Sequence, residues 1–540
     1  MSRRNDSRSF TAAFLFGGIG VALAANCVRE ARAHSPLLFA IGNPVTNVMF
    51  ADEPKYSVTI LDKAVPAPPA VELPDTARLT AADVRRLAPA TGAGSVRVCP
   101  AGDLPLLDEA FRSDRGRDLR RRQGAESARA IFIDSGVLTL DQAAEQLADA
   151  EVAENNQGVV TLRLPLVVGP GATLIIDGAR TPELWMSTDR GAFLANAGGL
   201  FLFDAVVTSW SESTKKPTEF VNKKEFRPFI SSYVRSKTYA AGCKFMNLGF
   251  DAPTAYGFSL SSHPERERGE PRDDWPTGAL VDNEFRGLYY GFYSFEARDV
   301  AILNNLYQDN IVYGIDPHDR STRLAIVGNK TIGTLQKHGI IGSRGVSHSF
   351  ICDNQSFGNA GSGVMLDRQC SHNVVRGNQA YNNGQGIAVY ESGSNAVCDN
   401  LVAFNKASGV RIRNSDSILV QNNTIVGNGD YALEVYAKRL DDHDARLERG
   451  DTYDEQTRVT FLGNRVGGNL GLAKGTDFTV LRLGDVRPVK DLGAIATRLG
   501  HTPPKQCDSA DAKLGQELSD VAPRISAALK GGNGIVEVRQ

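Results

Sequence analysis

The sequence has seven cysteines but no CxxC pair and no Cys/His spacing of the kind that ligates zinc, so a zinc site is not expected. It lacks an excess of positive charge: 60 Lys and Arg face 62 Asp and Glu, for a net −2. That argues against a nucleic-acid partner. It also lacks long apolar runs. The one candidate, FTAAFLFGGIGVALAA near the N-terminus, is shorter than the ~20 residues a membrane span needs. What remains is a chain of 540 residues, 42% of them hydrophobic. That is enough for several ordinary domains or one long repetitive one.

The short apolar run follows Arg3, Arg4 and Arg8 and precedes small residues that offer cleavage after Ala24 or Ala33. This is the layout of a secretory signal over residues 1–33. The mature chain is expected to be exported, without stable membrane insertion, in a compartment that permits disulfides. Residues 34–156 read as an N-terminal segment, Pro-, Arg- and Ala-rich over 34–130, with a helix over 140–152.

From residue 283 a unit repeats. Asn283, Asn305, Asn329, Asn354, Asn378, Asn400 and Asn423 each open one, at spacings of 22 to 25. Asn247 and Asn464 fit if insertions are allowed at 261–278 and 437–457. Each unit carries a glycine followed by alternating residues, as in Gly363-Val-Met-Leu-Asp and Gly386-Ile-Ala-Val-Tyr. Period-2 alternation marks strands with one buried face. The fold class expected is all-β: a parallel β-helix over 157–470, capped by the 140–152 helix and by residues 471–540. The asparagines are read as corner residues bonding to neighbouring coils. Cys352 and Cys398 fall two coils apart, about two 4.8 Å steps. A disulfide needs Cα atoms within ~7 Å, so both are read as buried filler. The excursion 261–278 is expected to overhang the groove, with Trp275 as an anchor.

This periodicity gives meaning to YGIDPHDRS, residues 313–321. Ile315 and Pro317 take inward slots, so Asp316 and His318 take outward ones. The same slots in later coils hold Ile341 and Ser343, Met365 and Asp367, Ala388 and Tyr390, Arg411 and Arg413. Just past them come Asp319, Arg344, Arg368, Glu391 and Asn414. Such a face suits a polyanionic chain with sugar rings to stack on, about one sugar per coil. Histidine can act as a base near neutral pH. Arginine can neutralise a carboxylate through a fork of donors. A proton alpha to a uronate carboxylate needs both. Asp316 is expected to orient the His318 ring, and either Tyr313 or water to supply a proton to the opposite face. Asp319, Arg320, Asp367, Arg368, Tyr390, Arg411 and Arg413 are the expected substrate-binding set.

The Asp316-Pro317-His318-Asp319 motif, with Tyr313 before it and Gly-Ser-Arg-Gly (342–345) on the next coil, resembles the periplasmic mannuronan C5-epimerases of bacterial alginate synthesis. The resemblance covers most of the chain. It implies a right-handed β-helix and conversion of β-D-mannuronate to α-L-guluronate within alginate. It also implies a periplasmic location among the proteins of an alginate assembly and export complex. By that resemblance His318 is the base and Arg344 the carboxylate partner. The lysine and the calcium-binding repeats of the secreted enzymes have no counterpart recognised here, and no cofactor is expected. Two other readings use the same face: a β-helix lyase acting by β-elimination, and a non-catalytic alginate-binding scaffold.

Overall fold

The computed structural model describes residues 57–60, 71–104, 107, 114–262, 274–439, 450–475, 479–484, 486–489, 492–500 and 535–536. The signal segment lies outside them, as does most of the excursion at 261–278; Trp275, at its end, is half-buried.

The chain winds into a parallel β-helix. One coil runs through Tyr313–His318, Ala325–Val327 and Lys330–Ile332 before the next begins at Ile340–Ser343. Each strand pairs in parallel with its counterpart one coil on, giving three parallel ladders, taken in chain order as the first, second and third sheets of the helix. The inward residues stack along the axis: Ile315, Ile340, Val364, Ile387, Val410 and Leu433 are all fully buried in one continuous core. The landmark glycines mark a close approach across the coil. A Cβ on Gly339 would lie 2.2 Å from Ser356 Oγ, and one on Gly409 would lie 2.3 Å from Ile425 Cγ2.

The opening asparagines form a buried ladder. Asn378 Oδ1 accepts from Asn354 N (3.0 Å) and Asn354 Nδ2 (2.9 Å), while Asn378 Nδ2 donates to Ile351 O (2.8 Å) and Asn400 Oδ1 (3.0 Å). Every hydrogen-bonding site of the amide is used. Asn464 continues the ladder by accepting from Asn423. Asn247 does not belong to it: Lys244–Met246 pairs with Glu284–Arg286, so Cys243 stands opposite Asn283 and donates its backbone N–H to it. A second ladder, unremarked in the sequence, runs through Asn359, Asn383, Asn405, Asn428 and Asn469. Replacing Asn378 by Leu strands partners on both sides, at ~1–3 kcal/mol for each unsatisfied group. The expected loss is about 4 kcal/mol in equilibrium denaturation. A loss under about 1 kcal/mol would show the ladder to be dispensable.

The ladder of parallel strands extends beyond the expected limits at both ends. Arg129–Thr139 already pairs in parallel with Leu166–Val168 and Ala172–Asp177, and Thr479–Gly484 with Thr457–Leu462. The helix Leu140–Leu147, opened by a Thr139/Gln142 capping box, places Leu140, Ala143 and Ala144 against the core as a cap should. The helix Leu492–Arg498 does not close the far end. It lies on the outer side of the third sheet, against Tyr381, Leu401 and Phe404. Residues 71–88, with the short helix Ala81–Arg86, cover the outer side of the second sheet from Phe201 to Cys352. Cys352 is disulfide-bonded and so is not simple filler. The two-coil separation excluded Cys398 alone, and Cys99, Cys243, Cys370 and Cys398 are free.

Candidate active site

The register places His318 beside Ser343, then Asp367, Tyr390 and Arg413 on successive coils, as the alternation requires. At the end of this strand the chain turns through left-handed residues. Glu296, Asp319, Arg344, Arg368, Glu391 and Asn414 have φ between 39° and 58°. This conformation costs a non-glycine residue ~1–2 kcal/mol. The corner is held by bonds between coils: Asp319 N to Ser343 O (2.9 Å), Arg344 N to Asp367 O (2.7 Å) and Arg368 N to Tyr390 O (2.9 Å). It swings a row of charged side chains back across the outward slots.

That turn decides which aspartate serves the histidine. His318 Nδ1 is hydrogen-bonded to Asp319, not to Asp316. The other Asp319 oxygen accepts from Arg344 Nη1 at 3.1 Å. Asp319 therefore bridges the imidazole and the guanidinium. A neutral ring donating from Nδ1 keeps its lone pair on Nε2. Burial opposes ionisation of Asp319, but the His318 hydrogen bond and charge, with Arg344 and Arg320 nearby, hold its carboxyl below the usual range. Both Asp319 oxygens are thus engaged within the protein, one by His318 and one by Arg344.

Asp316 faces outward from the coil but is only 1% exposed. Burial pushes its carboxyl up to about 7, against the lowering effect of His318 and Arg368. Neither of its oxygens has a hydrogen-bond partner among the described residues. It cannot orient the ring, since no hydrogen bond joins the two. Tyr313 is raised well above the ordinary phenol range by burial, with Asp316 and Asp367 adding to the effect.

Three neighbours were missed in the sequence. Lys337 Nζ lies 3.1 Å from Tyr313 Oη. It sits two residues before the Gly339 landmark, a position the outward-slot pattern does not sample. Tyr293, one coil before Asp316, is buried with its ring 5.8 Å from His318. The third addition is Asp451, from the insertion at 437–457. Its Oδ1 accepts from Arg344 Nε at 3.0 Å.

The remaining expected residues divide. Arg368 pairs with Asp367 at 3.1 Å and reaches Ser343 Oγ at 3.3 Å, within the same cluster. Arg320 turns away to the buried Glu296, its Nε at 2.8 Å. Further along the face, Arg413 is gripped by both Glu391 oxygens (2.6 and 2.9 Å) and lies 4.2 Å over the Tyr390 ring. Arg411 pairs with Glu434 at 3.0 Å. These two cations are already compensated, unlike a bare anion-binding patch.

A parallel β-helix with cations, carboxylates and tyrosines ranked around one histidine defines a solenoid protein whose exposed face carries the groups of an acid–base site. Residues 290–441 match the family described as right handed beta helix region. The chain is 38% identical over 401 residues to the mannuronan C5-epimerase AlgG of Azotobacter vinelandii, covering 74% of this chain and 75% of that one. It is 38% identical over 344 residues to the mannuronan C5-epimerase of Pseudomonas putida, covering 63% of this chain and 65% of that one. A crystal structure of the periplasmic alginate epimerase AlgG superposes with a TM-score of 0.72 at 32% identity, covering 79% of this chain and all of that chain. The chain belongs to the mannuronan C5-epimerase family.

Proposed function

We propose that the groove epimerises β-D-mannuronate residues of alginate at C5, with His318 as the base. The Asp319 bridge between His318 and Arg344 carries this reading. It sets the ring's lone pair at Nε2 and fixes the guanidinium beside it. Arg344 gives Nε to Asp451 and one Nη1 hydrogen to Asp319, which leaves the Nη2 hydrogens to receive the C6 carboxylate. With that charge neutralised, Nε2 removes H5, and the electron pair delocalises onto the carboxylate held by Arg344. Asp316 lies close enough to favour the imidazolium that forms. Tyr313 then delivers its proton to the opposite face of C5, and Lys337 stabilises the phenolate left behind. Exchange with water returns the proton to Tyr313 and removes the one on His318.

Polymannuronate incubated with the protein in D₂O should gain deuterium at C5 together with guluronate signals in ¹H NMR. An ultraviolet-absorbing unsaturated uronate would point to β-elimination instead, and binding without exchange to a scaffold. Arg344→Lys should lower kcat by about 10²-fold with less effect on KM, because the charge on the carboxylate grows in the transition state. Lysine also loses the fork that serves Asp319, Asp451 and substrate together. A variant that turns over normally and only melts earlier would make Arg344 part of the scaffold.

The same proposal places the protein in the periplasm, acting on alginate alongside the polymer's assembly and export proteins. The solved relative is titled a periplasmic epimerase, and Arg3, Arg4 and Arg8 precede a short apolar run here. Mass spectrometry of the exported protein should find an N-terminus after Ala24 or Ala33.

A further inference from the structure

Asp451 comes from a segment 107 residues beyond Arg344 in the chain. That segment leaves the helix after Tyr431–Tyr436 and returns at Thr457–Leu462. The departure strand is five coils past His318, about 24 Å along the axis. Residues 451–454 lie along those coils. Asp451 meets Arg344 on one coil, and Thr452 Oγ1 accepts from Gln369 Nε2 at 2.8 Å on the next. Further along, Asp454 accepts from Asn414 Nδ2 (2.8 Å, on its carbonyl) and from Asp416 N (3.0 Å, on its carboxylate). The segment thus lies along the left-handed corner as one wall of the face.

Asp451 is 7% exposed, and its second oxygen, Oδ2, has no hydrogen-bond partner among the described residues. A buried carboxylate oxygen left without a donor costs ~1–3 kcal/mol or more. Asp367 Oδ1, one coil past Arg344, is unsatisfied in the same way. Arg344 presents donors where a uronate has its carboxylate. Asp451 presents an acceptor, and the only donors on a uronate chain are its hydroxyls.

We propose that Asp451 is a positioning and specificity residue: one oxygen fixes Arg344 through Nε, and the other accepts a hydrogen bond from a hydroxyl of the bound uronate. The proposal rests on the epimerase reading above. Gripping one sugar through carboxylate and hydroxyl at once fixes its rotation, so that H5 is held toward the base rather than merely near it.

The test uses the full-length protein and polymannuronate, with the wild type as control. H5 exchange by the wild type establishes the epimerase reading, and its absence would sink that reading before Asp451 is considered. Given exchange, Asp451→Ala should lose about 30-fold or more in kcat/KM, referred to protein shown to be folded by circular dichroism at the assay temperature. Asp451→Asn keeps an acceptor carbonyl for Arg344 but puts an amide donor where the second carboxylate oxygen stood, so it should stay impaired by about tenfold, mostly in KM. Where the alanine variant does not fold, Asp451→Ser carries the same expectation. An alanine variant within about twofold of wild type would overturn the proposal. So would an asparagine variant within about twofold of wild type, because the second acceptor oxygen would then contribute nothing. A rise in kcat/KM would overturn it too, by making Asp451 a competitor for the substrate carboxylate.

Discussion

Replacing His318 by asparagine should lower H5 exchange by about 10²–10⁴-fold, the usual contribution of a positioned acid or base. Thermal melting should move little. The side chain lies on the outer face of the coil, outside the continuous core. Asparagine can still donate from Nδ2 to Asp319, so the bridge to Arg344 keeps a partner. It has no group that can take a proton from carbon. The measurement is deuterium incorporation at C5 in D₂O beside a melting curve for the same preparation. Exchange within tenfold of wild type would remove His318 from the base role.

Asp316→Asn should raise stability above neutral pH while lowering activity. The folded carboxyl titrates near 7, raised by burial, whereas an unfolded one titrates near ~3.9. The native state therefore holds a proton that the unfolded state has already released. Stability falls as pH rises from about 4 to about 7, by up to about 4 kcal/mol, and then levels off. Asparagine has no proton to lose. The two proteins should melt alike near pH 4, and the variant should melt higher at pH 8. A gap that does not change with pH would contradict this account. Exchange activity should fall above about pH 7, where the wild-type carboxylate that favours the imidazolium is ionised, and approach wild type at lower pH. The wild-type residue would then be one whose ionisation costs the fold and serves the site.

The coil repeat was legible because it rests on local chemistry. An asparagine corner, a glycine where strands crowd and a period-2 alternation each leave a mark within a few residues. The outward slots followed from the alternation alone, so His318, Asp367, Tyr390 and Arg413 lie on one face as expected. The alternation could not say which aspartate serves His318. It places Asp316 on the right face, but the left-handed turn at Asp319 and Arg320, φ 39° and 60°, carries the next carboxylate back to the ring. Nothing in a run of polar residues announces that turn. Asn247 was misplaced for a related reason. A 22–25 spacing tolerates a shift of a few residues, and strand pairing assigns the ladder slot to Cys243. Asp451 was beyond reach altogether, since its partner lies 107 residues away across four coils. The charges of Arg411 and Arg413 were legible, but not their compensation by Glu434 and Glu391.

The asparagine ladders bear on how the protein ages. Asparagine deamidates when the following backbone nitrogen can swing round to attack the side-chain amide, and that attack needs a mobile main chain. In Asn354, Asn378 and Asn400 both side-chain atoms are already bonded, and each residue opens a paired strand. The attacking geometry is therefore closed for as long as the coils stay stacked. Chemical damage should begin at exposed asparagines, or in coils that have already separated. Isoaspartate inside a ladder would then record past unfolding, a molecular memory of heat or acid that peptide mapping can read.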